Sequence, residues 1–320
     1  MPRQESTRKR PRVLTRRQFM AGTTYGVALL GLSSWTLLDA FVLERDTVSA
    51  TEENTSMIQT ASSTSSSDTS GSSDSGEATV TSSSYSDDNI SIDIKTGTTS
   101  NTTYYLADIQ LSSLEYLKCA FAKGTYGRNV KETTSTIAEE NSAILAINGD
   151  YYGWRDAGYV IRNGVLYRET ADTGTDCLVI WGDGTFSSAT EGETSAQDLL
   201  DSGAWQVLSF GPVLLDNGEL MVSEDDEVSQ SKSSNPRTAI AMVEPLHYQF
   251  FVSDGRTSES EGLSLYQMAE LLSENGATFA YNLDGGGSST MYFNGSVVNN
   301  PTDGTNMGER SVSDIVYIGY

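Results

Sequence analysis

Asp284 is followed by three consecutive glycines in the stretch Asn282 to Gly295, NLDGGGSSTMYFNG, between two segments that read as strands, ATFAY and TMYF. Glycine inside a sheet pattern costs backbone entropy and side-chain packing, so a run of three needs a reason, and close approach of a ligand is one. In that reading Asp284 is a catalytic carboxylate, and Asn282, Gly285, Gly286, Gly287 and Ser288 face a substrate, the glycine amides meeting an anionic oxygen. The competing reading is a tight turn capped by Asp284, but a turn alone rarely needs three glycines plus SST. The loop lacks the lysine of a P-loop and the spacing of a dinucleotide fingerprint, which argues against ATP.

Three further clusters fall at strand ends, where loops present polar groups without disrupting pairing: AINGDYYG (Ala146 to Gly153), NPRTA (Asn235 to Ala239) and FFVSDGR (Phe250 to Arg256). In the first, Asn148 and Asp150 suit sugar hydroxyls or a second acid/base group, and Tyr151 and Tyr152 are either stacking faces or core. In the second, the fork of donors on Arg237 suits a phosphate or carboxylate; its alternative partner is the acidic run Glu224 to Glu227. In the third, Asp254 and Arg256 flank Gly255 as either a self-satisfied pair supporting the loop or substrate contacts. The single histidine, His247, has no surroundings of a zinc site or serine triad, so metallohydrolase and serine hydrolase readings fall. No cofactor is required by these groups; calcium or magnesium needs only oxygens, which Asp150, Asp254 and Asp284 together could supply.

These residues need elements to hold them. From Asn89 onward alternation begins, with Ile90, Ile92 and Ile94 on one face of a strand, and turn signals recur at RNG (162–164), GDG (182–184), DNG (216–218) and FNG (293–295). A helix is expected over Ser264 to Asn275, with Ser264 and Gln267 as a capping box and Gly276 as its stop, and another ends near Asn141. Ile137 to Asp150 and Leu271 to Asp284 match at six of fourteen positions without a gap, and both run helix, EN, turn, strand, Asn-x-Asp. The match is either an internal repeat or a coincidence of two similar units. The expected fold class is α+β: a mixed, β-rich sheet core with hairpins and a few flanking helices, in a single catalytic domain over residues 89–320.

Ahead of that domain, residues 1–50 read as an export signal or signal anchor. Seven Arg or Lys in the first twenty residues precede an apolar run from Tyr25 to Leu43, and TRRQFM (Thr15 to Met20) matches the twin-arginine style. Val48 to Ala50 offers small residues for a signal peptidase, while the run is almost long enough to span a bilayer, so cleavage and membrane anchorage both stay open. Residues 51–88 are dominated by Ser and Thr and are expected to be a flexible tether. Past Ala50 the chain carries 12 Lys or Arg against 39 Asp or Glu, a net charge of −27, which excludes nucleic acid as a partner and makes any anion chemistry depend on locally placed cations. Cys119 and Cys177, in an exported domain, either form a disulfide or are two small buried residues.

Taken together, GTYGRNVKETTSTIAEENSAILAINGDYYG, NPRTAIAM, SDGR and NLDGGGSSTM resemble the phosphodiester glycosidase family, over most of residues 89–320. The resemblance implies hydrolysis between an anomeric carbon and a phosphodiester oxygen, as in α-N-acetylglucosamine-1-phosphate linkages of an envelope or exopolysaccharide glycan. Its leaving group is already a weak base, so a strong general acid matters less than a cation on the phosphate and a carboxylate near the oxocarbenium-like centre. On that reading Arg237 and Asp284 fill those roles, with Asp150 as partner carboxylate. Two rivals remain: a non-catalytic glycan-binding or assembly protein with the same pocket, and a metal-dependent phosphodiesterase cutting phosphorus to oxygen.

Overall fold

The computed structural model describes residues 47–50, 53–58, 78–224 and 234–320. Most of the expected export segment and most of the tether lie outside the described residues, and among the described residues no helix is long and apolar enough to cross a membrane. Three antiparallel sheets hold the site. The largest has nine strands, in the order Glu219–Leu220, Val213–Asp216, Phe279–Asn282, Arg237–Glu244, His247–Ser253, Thr102–Leu111, Ile90–Thr99, Ser84–Ser86 and Thr79–Val80. A five-stranded sheet runs Ser296–Val297, Met291–Phe293, Leu145–Asn148, Asp314–Ile318, Leu117–Phe121. Another runs Val165–Arg168, Val160–Arg162, Ala204–Leu208, Asp176–Trp181, Phe186–Thr190. This is the β-rich core with few helices that the sequence predicts.

The alternation at Ile90, Ile92 and Ile94 buries all three while the residues between them stay exposed. They join one hydrophobic core with Ile109 and Phe250 of the same sheet, Ile147, Met291 and Val316 of the second, and Ile180 and Trp205 of the third. Each of the four turn signals carries a left-handed residue, at Gly164, Gly184, Gly218 and Gly295, and Asn163, Asn217 and Asn294 share that conformation. The helix Leu265–Glu274 starts at the capping box of Ser264 and Gln267 and stops at Gly276, whose φ is 88°. Cys119 and Cys177 are buried and free, so the disulfide is not formed.

The end of the expected export segment and the tether are folded where they are described. Ser84–Ser86 pairs with Ile90–Thr99, and Asp87 accepts hydrogen bonds from the amides of Asn89 and Ile90, each at 2.8 Å. Thr47–Ser49 pairs with Thr125–Gly127, and Asn54 donates its amide to the Asn163 carbonyl at 2.9 Å. Pairing with a sheet edge satisfies main-chain groups without apolar side chains, so composition alone misplaced the start of the folded part.

The two Asn-x-Asp segments are structural counterparts down to single hydrogen bonds. Asn141 Nδ2 donates to the Ile137 carbonyl at 2.7 Å, and Asn275 Nδ2 to Leu271 at 2.8 Å. The amides of Ala143 and Ala277 reach back to Ala138 and Leu272. Beyond the strands, Gly149 donates to Asp314 and Leu283 to Thr238, both at 2.9 Å. Each unit is a helix, a turn and a strand flanked by antiparallel neighbours, one centred on Leu145–Asn148 and the other on Phe279–Asn282.

Candidate active site

The two units meet end to end. Asn148 Nδ2 donates to the main-chain oxygen of Asp284 at 2.6 Å, and its Oδ1 accepts from Thr238 Oγ1 at 2.9 Å. Asn148 is wholly buried, lines neither cleft described below and brackets the corner. Asn282 donates to the Gly211 carbonyl at 2.7 Å and lines the larger cleft. Its buried Oδ1 has no partner and remains an acceptor.

The glycines have steric reasons that differ one from the next. A Cβ on Gly285 would lie 3.0 Å from the Pro236 carbonyl oxygen, one on Gly286 would lie 2.6 Å from Arg256 Nη2, and one on Gly287 would lie 2.6 Å from Asp303 Oδ1. Gly286 also adopts a φ of 63°. The corner's amides are mostly used internally: Gly286 donates to Pro236, Ser288 to Gly285 and Ser289 to Gly286. The close approach that the three glycines permit is therefore chiefly that of the protein's own arginines and backbone, with Gly285 and Gly286 also lining the larger cleft.

Asp284 stands where two clefts meet and lines both. Ser288 Oγ donates to its Oδ2 at 2.5 Å, and Arg310 Nη2 lies 3.5 Å from the same oxygen. Burial pushes the Asp284 carboxyl above the usual carboxylate range, against the opposing pull of Ser288 and Arg310. The larger cleft, about 280 Å³, brings Arg237, Arg256 and Asn235 against the glycine corner, with Phe210, Pro212 and Leu265 as apolar walls. The smaller, about 80 Å³, is lined by Asp150, Lys131, Ser288, Arg310, Ser311 and Ser313, with Tyr151 and Trp154 on its rim.

The arginine expected to meet a phosphate, Arg237, is almost wholly buried, and its Nε donates to the Leu263 carbonyl at 2.8 Å. Its alternative acidic partners, residues 225–227, lie outside the described residues. Arg256 is more exposed, and Nε and Nη2 donate to Asn235 Oδ1 at 3.4 and 3.3 Å.

Asp150 is held as an anchor. Its Oδ1 accepts from the Tyr152 amide at 2.9 Å, and its Oδ2 from the Ser209 amide at 3.0 Å and Arg162 Nη2 at 2.8 Å. The same Arg162 nitrogen lies 2.8 Å from Asp314 Oδ2, and Arg162 Nε donates there at 2.9 Å. One buried guanidinium thus serves two buried carboxyls. Burial pushes Asp314 up to about 7, with the Asp150 charge adding to the rise and Arg162 opposing it. Three hydrogen bonds hold the Asp150 carboxyl in place at the wall of the smaller cleft.

Asp254 lies away from both clefts. Its Oδ1 accepts from the Asn300 amide at 2.8 Å and its Oδ2 from Asn300 Nδ2 at 3.0 Å, so it supports a loop and does not pair with Arg256. The shared metal considered for Asp150, Asp254 and Asp284 has no such ligand set, since the first two spend their oxygens on Arg162, main-chain amides and Asn300; among the described residues no group of three His, Cys, Asp or Glu could hold an ion. Tyr152 is core, stacked on Tyr126, whereas Tyr151 lines the smaller cleft.

Sequence reasoning missed Arg162, Asp314, Arg310 and Trp154. The available signal was weak: Arg162 opens a turn motif, and Asp314 stands at the head of an otherwise apolar strand, DIVYI.

Residues 141–319, more than half of the chain, match the family model for phosphodiester glycosidase. The chain is 30% identical over 190 residues to the mouse N-acetylglucosamine-1-phosphodiester α-N-acetylglucosaminidase, covering 54% of this chain and 36% of that protein. It is 31% identical over 202 residues to the SPbeta prophage-derived uncharacterized protein YomE of Bacillus subtilis, covering 61% of this chain and 31% of that one. The match spans only about a third of each of these relatives. Among solved structures it resembles the catalytic domain of zebrafish N-acetylglucosamine-1-phosphodiester α-N-acetylglucosaminidase, auto-inhibited by its pro-peptide, with a TM-score of 0.59 at 20% identity over 88% of this chain and 90% of that one. That likeness concerns the fold. On the family match and the ordered motifs, this chain belongs to the phosphodiester glycosidase family.

Proposed function

We propose that this protein is an exported glycosidase that hydrolyses sugar-1-phosphodiester linkages, of the α-N-acetylglucosamine-1-phosphate type, in envelope or extracellular glycans. The observation that carries the reading is the position of Asp284 on the wall common to two clefts, with Arg237 and Arg256 on one side and an aromatic rim on the other. The phosphate lies in the larger cleft against the two arginines, whose forks suit its oxygens. The sugar ring lies at Asp284, between the larger cleft and the side of the smaller cleft that carries Tyr151 and Trp154. Water attacks the anomeric carbon, the bond from that carbon to the phosphoryl oxygen breaks, and its electron pair leaves with the phosphomonoester. Asp284 takes the proton of the attacking water, and its charge stabilises the positive ring as it develops. A carboxyl raised by burial suits a base working near neutral pH.

No second carboxyl is asked to protonate the leaving group, because a phosphate monoester leaves without one. The reading needs no metal, since Asp150 and Asp254 are engaged within the protein, and chelator treatment is expected to leave turnover in place. Incubation with a GlcNAc-1-phosphate methyl diester, followed by assay of free reducing sugar and methyl phosphate, tests the proposal. Release of methanol with phosphate left on the sugar would instead indicate phosphorus–oxygen cleavage. Binding without either product would indicate a glycan-binding protein. The basic, apolar N-terminal sequence supports export, and fractionation of the producing cell checks it.

A further inference from the structure

The small recess beside Asp284 carries two cations, Lys131 and Arg310, in its wall. Its volume is about 80 Å³, several times what one water needs. Its lining is polar: Ser288, Ser311, Ser313, Lys131 and Arg310, with the carboxylates Asp150 and Asp284. The two acids already have cations, Asp150 through Arg162 at 2.8 Å and Asp284 through Arg310 at 3.5 Å. Lys131 has no acid: among the described residues it forms no ion pair, and its ammonium is held 4.5 Å from the centre of the Trp154 ring. That contact orders the cation at the mouth of the recess while leaving its donors to a ligand. Arg310 likewise commits Nε and Nη2 to Ser288 and Gly285.

The surroundings make this placement selective. Past Ala50 the chain has 12 Lys or Arg against 39 Asp or Glu, yet four of the 12 line the two clefts, two on each side of Asp284. A scarce charge placed symmetrically about one carboxylate answers a substrate with anionic groups on both sides of the sugar.

We infer that Lys131 and Arg310, with Ser311 and Ser313, form a second phosphate subsite, so that the preferred substrate is a saccharide carrying one phosphate at its anomeric carbon and another elsewhere. The second phosphate is either a ring substituent or the linkage to the next unit of a sugar–phosphate polymer. This rests on the hydrolysis proposed above.

The full chain is assayed with three compounds: GlcNAc-1-phosphate methyl diester, the same diester phosphorylated at O6, and a short oligomer of GlcNAc-1-phosphate units. KM is expected to be at least about tenfold lower for one or both doubly phosphorylated compounds, which is worth about 1.4 kcal/mol. Lys131→Ala should bring the KM ratios near one. A preference for the O6 phosphate alone assigns the ring substituent, and a preference for the oligomer alone assigns the polymer. Equal KM values, or a Lys131→Ala effect as large on the simple diester, overturn it. If no compound is turned over, the hydrolytic reading fails separately, and calorimetric titration of the same three compounds decides the subsite by the same ratios.

Discussion

The side-chain amide of Asn148 lies 2.6 Å from the main-chain oxygen of Asp284, so the strand end of one unit fixes the corner of its counterpart. The same asparagine accepts from Thr238, the residue after Arg237, and thereby joins the carboxylate strand to the arginine strand. A buried amide with both ends engaged ties the two strand ends together. Asn148→Ala is expected to cost about 1–3 kcal/mol of stability, since it orphans buried partners. It should also lower kcat more than it raises KM. Thermal unfolding and steady-state kinetics on one preparation check both. A selective rise in KM with unchanged stability would make Asn148 a sugar ligand instead.

Asp284→Asn is expected to reduce kcat by about 10²–10⁴, the span of a lost general base, with little change in unfolding temperature. Because the raised Asp284 must be ionised to accept a proton, the wild-type rate should climb with pH through a midpoint above the ordinary carboxylate range. The pH profile of kcat/KM measures it. A flat profile through that range, or a variant retaining wild-type turnover, removes Asp284 as the base.

Much of this was legible locally. The four hairpin turns declared themselves through Asn, Asp and Gly at positions needing positive φ, and the helix before Gly276 through Ser264 and Gln267, because those signals lie within a few residues of the structure they make. Asp284 was legible because a triple glycine is rare in a strand context. Its explanation was not: the neighbours that crowd those glycines come from Pro236, Arg256, Asp303 and Arg310, each more than ten residues away. Arg162 and Asp314 escaped for the same reason, since they stand 152 positions apart and meet only because two sheets abut. Nor could sequence supply the partners that hold Asp150 and Asp254, Arg162 and Asn300, which come from distant segments.

Gly287→Ala should separate the steric reading of the corner from an anion nest. Its Cβ would meet Asp303 Oδ1 at 2.6 Å and Arg310 Nε at 3.2 Å, and both are side chains able to move. The expected outcome is a folded protein, destabilised by about 1–3 kcal/mol as for an overpacked site, with Arg310 displaced from Ser288 and Asp284. The apparent pKa in the rate profile should then rise, because Arg310 holds the carboxyl down. If the amides themselves held the phosphate, KM would rise and that pKa would stay.

The buried triad of Asp150, Arg162 and Asp314 gives stability a pH dependence of opposite direction to the rate. Two carboxyls share one guanidinium, so a proton is retained: Asp314 is pushed up to about 7 in the folded protein from 3.8. The native state therefore binds more protons than the unfolded chain between those values. Its stabilising effect is complete at acid pH and is lost as pH rises toward 7, with a slope of up to about 1.4 kcal/mol per pH unit for one proton. Asp284, also raised by burial, contributes with the same sign. Asp314→Asn keeps the shape while fixing the neutral form. The variant should gain on the wild type as pH rises from 5 to about 8 and lose that advantage near pH 4. Denaturant unfolding of both proteins across this range measures the crossing. Parallel curves would place the shared proton on some other group.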